Sequence, residues 1–495
     1  MNRPAEMLFC DEDAQRGPLT RADAARGVGV VLAVFIATRL VVWSFAYAGA
    51  LLNVRIELGL KPPFELYEKE LAARLHDPAS REYALFLERF AHFRPLLNFD
   101  GLHYRSIVQN GYRYRPVSLD AEPAERQQNI AFFPLYPLTA SLLTPLLGVH
   151  GAMIFVSHAA ALAAALVLHF WITWRVDAAC AAAAVACVLC LPSACYYSFG
   201  YAESTTLLMT VLTLACLDAG RLLPAALACG LATATRPTAA ALVPVFLLAA
   251  WARRAPRGAR QADPSRERKA AGGPNRPDPR RPPLPDAHGS DQSTAVTYAA
   301  NSVAPRNWTR LLLLAPLSIA GITAYAGYLT YRFGSPLVYF TNFRVGWVPD
   351  KQRADWFQFV TLARAWDQFK YFGRTLSGLP ESVVTVLKPF TWNMPMSLGL
   401  VAVSLAAWRV VPRSFRPLLL LAPLIFLQSY LASGGATFGV EPIGRYMGVA
   451  TPALVILGIW MQRRWPAGLR AGAWAAMMVL QAAWAFHFGL DEWSG

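Results

Sequence analysis

The stretch from Gly27 to Leu52 reads GVGVVLAVFIATRLVVWSFAYAGALL and carries one charge, Arg39, among its 26 residues. A helix needs about 20 mostly apolar residues to cross a hydrocarbon layer of about 30 Å. This run is long enough, and it exceeds the ~7–15-residue apolar core of a cleavable signal. It predicts a retained first membrane anchor. Further apolar runs follow at 151–173, 178–197, 203–220, 310–331, 388–408, 417–432, 444–462 and 468–487. Of 495 residues, 55% are hydrophobic and only 16% are charged, where a soluble protein carries about a quarter charged. The fold class these features predict is an all-α polytopic membrane protein.

Two apolar stretches are irregular. Residues 131–148 open on Phe132-Phe133-Pro134-Leu135-Tyr136-Pro137, so the helix there starts abruptly and either crosses or only dips into the bilayer. Residues 222–251 are interrupted by Arg236-Pro237. Proline ends or kinks a helix, and an arginine at mid-bilayer costs ~2.5 kcal/mol or more, so two short helices meeting at a turn are expected. The dipping alternative puts Arg175 and Arg221 on the cytoplasmic side and satisfies the positive-inside bias better.

Orientation follows from the basic loops. Residues 253–306 hold eleven Lys or Arg against five acids, with many Pro and Gly, and read as a disordered cytoplasmic insert. The expected order is a cytoplasmic tail 1–26, a span 27–52 and an outer loop 53–130. Membrane helices 131–251, the insert 252–308 and a span 309–333 come next. An outer loop 334–385, membrane helices 386–488 and a tail 489–495 complete the chain. The net charge of +15 is scattered between apolar runs, without a basic stripe, and so excludes a nucleic-acid partner. No GxGxxG or Walker loop stands ready for a nucleotide. Cys187 and Cys190 form a CxxC amid Ala, Val and Leu, where cysteine behaves as a small hydrophobe.

The chemistry concentrates in Asn98-Phe99-Asp100-Gly101-Leu102-His103-Tyr104-Arg105, within the first outer loop. Asp100 is placed to take a proton from an alcohol, with His103 or Arg105 holding an anionic donor. Asp is equally a favoured N-cap for a helix beginning at Gly101, and both readings stand together. Elsewhere ionisable residues occupy apolar surroundings, where they usually serve a site or pair with one another. Glu203, Arg236 and Arg445, the last followed by Tyr446, belong to that class. Arg39 is expected to pair with Glu203 or to snorkel. His158 reads as a satisfied helix residue, and Asp11-Glu12-Asp13 as a solvated charge run.

These motifs, with Asn110-Gly111-Tyr112, Ala131–Pro137, Tyr201-Ala202-Glu203-Ser204, Ala234-Thr235-Arg236, Gly334–Phe340 and Gly444-Arg445-Tyr446, resemble the membrane mannosyltransferases related to GPI mannosyltransferase 2. The resemblance runs from about residue 27 to 465, the insert excluded, and Phe99 stands where the family commonly has Trp. It implies a GT-C glycosyltransferase: a bundle of about 10–12 membrane helices with a large outer first loop. It also implies a polyprenyl-phosphate sugar donor, mannose or a similar hexose, and a lipid or glycan acceptor. Asp100 takes the place of the family's catalytic acid, with Glu203 as a second catalytic candidate. His103, Tyr104, Arg105, Arg236, Arg445 and Tyr446 would bind substrate. The mechanism leaves room for a divalent metal without requiring one. The Ala- and Arg-rich composition points to a bacterial cytoplasmic membrane, or to the endoplasmic reticulum membrane if the chain is eukaryotic. The rival reading is a transporter or flippase for a lipid-linked sugar, which would predict related halves; no internal repeat is found.

Overall fold

The computed structural model describes residues 20–57, 77–118, 120–252, 313–346, 387–432 and 443–491. The expectations for Asp11-Glu12-Asp13, for the insert and for most of 334–385 lie outside these residues. Among the described residues every regular element is helical.

Helix α1 (Arg21–Glu57) buries one stripe, including Val31, Phe35, Arg39, Val42 and Ala46. Its opposite side stays apolar yet exposed, as at Ile36 and Leu40. A helix apolar all round is one that faces either a core or lipid on every side. In the region expected from the sequence to be the outer loop lie α2 (Arg81–Phe90) and α3 (Asp100–Asn110).

Helix α4 (Leu135–Arg175) is not straight, because Gly148 sits at φ 67°, ψ 169° inside it. That conformation is essentially restricted to glycine. Tyr136 donates its hydroxyl to the Met153 carbonyl at 2.9 Å, across 17 residues. A straight helix would hold those residues about 25 Å apart, so the chain doubles back at Gly148. The first arm, 135–147, is about 20 Å long, and the second, 149–175, about 40 Å. Only the second is long enough by itself to cross a membrane.

Next come α5 (Ala178–Leu189), α6 (Glu203–Asp218), α7 (Leu222–Thr233) and α8 (Leu242–Ala252). Arg236 lies in extended backbone between α7 and the turn Pro237–Ala241, which is the break expected from Arg236-Pro237. After the insert stand α9 (Ala320–Phe333) and α10 (Val338–Gly346), then α11 (Pro389–Ala407) and α12 (Leu421–Ala432). The chain closes on α13 (Thr451–Arg464) and α14 (Ala467–Gly489).

Two helices, α1 and α4, are long and apolar enough to cross a membrane, or up to four if each of two bent pairs is one span. The bent pairs correct the expectation of plain spans at 178–197 and 444–462. Helix α5 meets the turn Pro192–Ser198 at 79°, and Ile443–Val449 meets α13 at 75°. At the first bend Leu191 takes ψ 137°, the extended backbone that a residue before proline favours. The other apolar helices, such as Leu222–Thr233, Pro237–Ala252 and Arg416–Tyr430, are shorter.

Small residues close the packing. A Cβ on Gly49 of α1 would strike the Phe486 carbonyl of α14, and one on Gly489 would strike the Ala46 carbonyl of α1. Gly230 and Gly321 bring α7 against α9 in the same way. Such approaches are how apolar helices gain dispersion contact where no hydrophobic drive separates helix from lipid. All six described cysteines are unbridged, Cys187 and Cys190 among the buried ones.

Candidate functional site

Phe99 precedes α3 in a left-handed conformation, φ 52°, that a bulky side chain enters only at a cost in strain. Its neighbours hold it there. The Asn98 amide donates to the Phe488 carbonyl at 3.2 Å, and the Asn98 carbonyl accepts from the Tyr201 hydroxyl at 3.0 Å. The Phe99 ring packs edge-on against Phe488. The outcome differs from the N-cap expectation: Phe99 takes the cap position, and Asp100 becomes the first helical residue. The Asp100 carboxylate turns away from the helix backbone and meets an arginine.

That arginine is Arg445, whose Nη2 lies 2.5 Å from Asp100 Oδ2. Its Nε hydrogen-bonds Glu203 Oε1. Arg236 Nη1 forms an ion pair with the same Glu203 oxygen, at an angle that gives no directed hydrogen bond. Four charged residues from four separate parts of the chain thus form one chain of contacts, Asp100–Arg445–Glu203–Arg236. All four are buried. Arg445 packs against the rings of Tyr201 and Tyr196, with its guanidinium carbon 4.6 Å and 4.9 Å from their centroids. Arg236 stands 4.8 Å over the Tyr446 ring. The faces of these rings stabilise cations that have lost their water. Glu203 Oε2 is buried with no hydrogen-bond partner.

The local folding that brings these groups together is specific. Helix α6 begins at Glu203, which follows the buried turn carrying Tyr196 and Tyr201. Thr206 of α6 donates to Thr235 at 2.8 Å and ties down the turn that presents Arg236. The Leu135 amide donates to the Ala234 carbonyl at 2.9 Å, joining the start of α4 to the same turn.

The other expected residues divide. Tyr104 is buried, its ring edge-on to Phe132 and Tyr136 at 5.0 Å each, and burial raises its pKa so that it stays a neutral phenol. His103 stacks on Phe132 at 4.8 Å. Burial lowers its pKa below the ordinary value, with the Asp100 charge pulling the other way. Arg105 is not drawn into the cluster; its charge acts on Arg94, whose pKa it helps to lower after the larger effect of burial. Arg39 neither pairs with Glu203 nor snorkels. It donates to the Ala194 carbonyl and, at 2.7 Å, to the Ser198 hydroxyl, bracing the turn below Tyr196. Glu203 is already engaged by two arginines. His158 accepts from the Trp43 indole at 3.1 Å and sits 2.8 Å from the Ile154 carbonyl, a satisfied helix residue.

Sequence reasoning missed the role of Tyr196 and Tyr201 as cation platforms. Their signal was tyrosines just ahead of an acid, Glu203, in an apolar stretch. No group of three His, Cys, Asp or Glu side chains among the described residues stands close enough to hold a metal ion. Comparison with protein-family models, curated proteins and solved structures finds no match to this chain.

Proposed function

We propose that this protein is a polytopic membrane glycosyltransferase of the GT-C type, moving a hexose from a polyprenyl-phosphate donor to an acceptor hydroxyl on the outer face. Mannose is the sugar that the sequence resemblance favours. The observation that carries this reading is the convergence of Asp100, Glu203, Arg236 and Arg445 in one buried network. Intramembrane ionisable residues are expensive, and their gathering in one place is the mark of a site.

In this reading Arg236 and Arg445 receive the donor phosphate. The incomplete hydrogen bonding of Arg236 Nη1 and Glu203 Oε2 supports a network built to rearrange around a ligand. When the phosphate draws on Arg445, Asp100 is released to act as base. The acceptor oxygen attacks the anomeric carbon from the side opposite the phosphate while Asp100 takes its proton. The bond between the anomeric carbon and the phosphate oxygen breaks, and its electron pair leaves with the polyprenyl phosphate. The arginines neutralise that charge, and the sugar is inverted.

The test is transfer from radiolabelled polyprenyl-phosphate-mannose to membrane acceptors, comparing wild type with Asp100→Asn at matched expression. Loss of a positioned base costs about 10²–10⁴-fold, so the variant should fall at least about 100-fold. Equal product from both would remove Asp100 from the mechanism. Movement of donor across liposomes without product would favour the flippase.

A further inference from the structure

One helical turn beyond Asp100, on the same helix, His103 and Ser106 open onto a cavity of about 420 Å³. Residues three apart share a helix face. The opposite wall comes from the extended segment 111–117 and from Gln127, Gln128 and Asn129. Two amide side chains fasten that wall. Asn129 accepts from the Arg113 amide at 3.0 Å and donates to the Gly111 carbonyl at 3.1 Å. Gln128 both accepts from the Arg115 amide and donates to its carbonyl, each at 2.8 Å. The amides act as a substitute strand, so the cavity wall is fixed before anything enters.

The groups left over define the ligand. The Arg113 guanidinium and the Gln127 amide make no hydrogen bond to described residues, and the Ser106 hydroxyl accepts one from Asn129 with its own proton still to give. The His103 ring, stacked on Phe132, lines the same cavity. The rings of His103 and Tyr114 provide flat apolar walls. Glu125 lines the same cavity and pairs with Arg115 at 3.3 Å, so one of the two lining arginines is already neutralised. Vicinal hydroxyls are donors and acceptors in pairs, and mixed amide, guanidinium and hydroxyl groups meet both needs. The volume lies in the lower part of the ~300–1,000 Å³ range of small-molecule sites.

We infer that this cavity binds a neutral, hydroxyl-rich sugar ring of the acceptor, held by Arg113, Gln127 and Ser106 in a pocket whose wall begins at His103, one turn from Asp100. The inference rests on the transferase reading for its role, and on the cavity alone for its binding.

Two measurements on the full chain in nanodiscs separate the two, with octyl α-mannoside as probe. The first is saturation-transfer NMR of the probe against wild type, Gln127→Ala and Arg113→Ala. The second is transfer from polyprenyl-phosphate-mannose to the same probe. Expected are a sugar-ring signal with wild type that weakens in both variants, and about a tenfold rise in acceptor KM with the donor KM held. Sugar-ring binding without transfer would keep the cavity and sink the transferase. Transfer with an unchanged acceptor KM in both variants would sink the cavity and keep the transferase. No sugar-ring signal with wild type would also overturn the cavity proposal. Tighter binding of the 6-phosphate of the probe would make this an anion site and overturn the neutral-sugar assignment.

Discussion

Arg445 holds two carboxylates at once, and only a planar guanidinium with several donors does so. Removing it would strand Asp100 in a buried position. Breaking a buried pair from one side costs about 3–5 kcal/mol, so Arg445→Met should lower stability by about that amount in detergent unfolding. Arg445→Lys, which keeps the charge, should cost less. His103 gives a pH signature. Its folded pKa lies below the ordinary 6.5 because of burial, so unfolding takes up a proton between the two values. The stability of the neutral ring is present above about pH 6.5 and lost as pH falls through the folded pKa. Thermal melts should therefore show an acid-side loss that His103→Gln flattens. At this scale the sequence named Glu203, Arg236 and Arg445 because a charge in apolar surroundings needs a reason, and Asp100 because of the Gly, His and Tyr that follow it. It could not tell which acid meets which arginine. Arg39 shows why: its true partners are a hydroxyl and a backbone carbonyl, and carbonyls are everywhere in a sequence.

The helical break at Arg236-Pro237 was legible because proline marks it, whereas the one at Pro192 was passed over and 178–197 was read as a single span. Arg236-Pro237 and Pro192 both interrupt helices, and backbone sterics require it. The sequence reading divided the chain at Gly148, setting 131–148 apart from 151–173, but it did not show how the two arms fold back on each other, because hydropathy measures composition and not direction. Alanine at position 148 would have to adopt φ 67°, ψ 169°, which costs of order 1–3 kcal/mol. Gly148→Ala should therefore lower the melting temperature. Gly151→Ala should not, since its Cβ would meet only Leu147 at an ordinary 3.5 Å. An equal effect of both substitutions would mean that the turn is not what holds the two arms together. The bends of 79° and 75° have the same lesson. An apolar run of sufficient length need not be a straight rod, and the expected spans at 178–197 and 444–462 are elbows. The elbows carry Tyr196 and Arg445, so the departures from straightness lie at the site itself.

Across the whole molecule the net charge is +15, yet the buried network holds two acids and two arginines, whose charges cancel. On the proposed transferase reading, a donor phosphate that arrives there finds no bare positive field. It must displace a carboxylate as counter-ion, so its capture is an exchange and not an attraction. Screening acts on long-range attraction and has little hold on a swap between buried partners. The donor KM should then change little between about 50 and 500 mM salt, over which an open basic patch would weaken steeply. A steep salt dependence would show that the phosphate is drawn by the outer basic residues instead. On the same reading the cancellation keeps the resting protein inert: with Asp100 held against Arg445, no strong base waits to activate stray water. A sugar bound to its lipid carrier is a costly reagent to waste. The ion pair that looks like structural cement is, in that light, a safety catch.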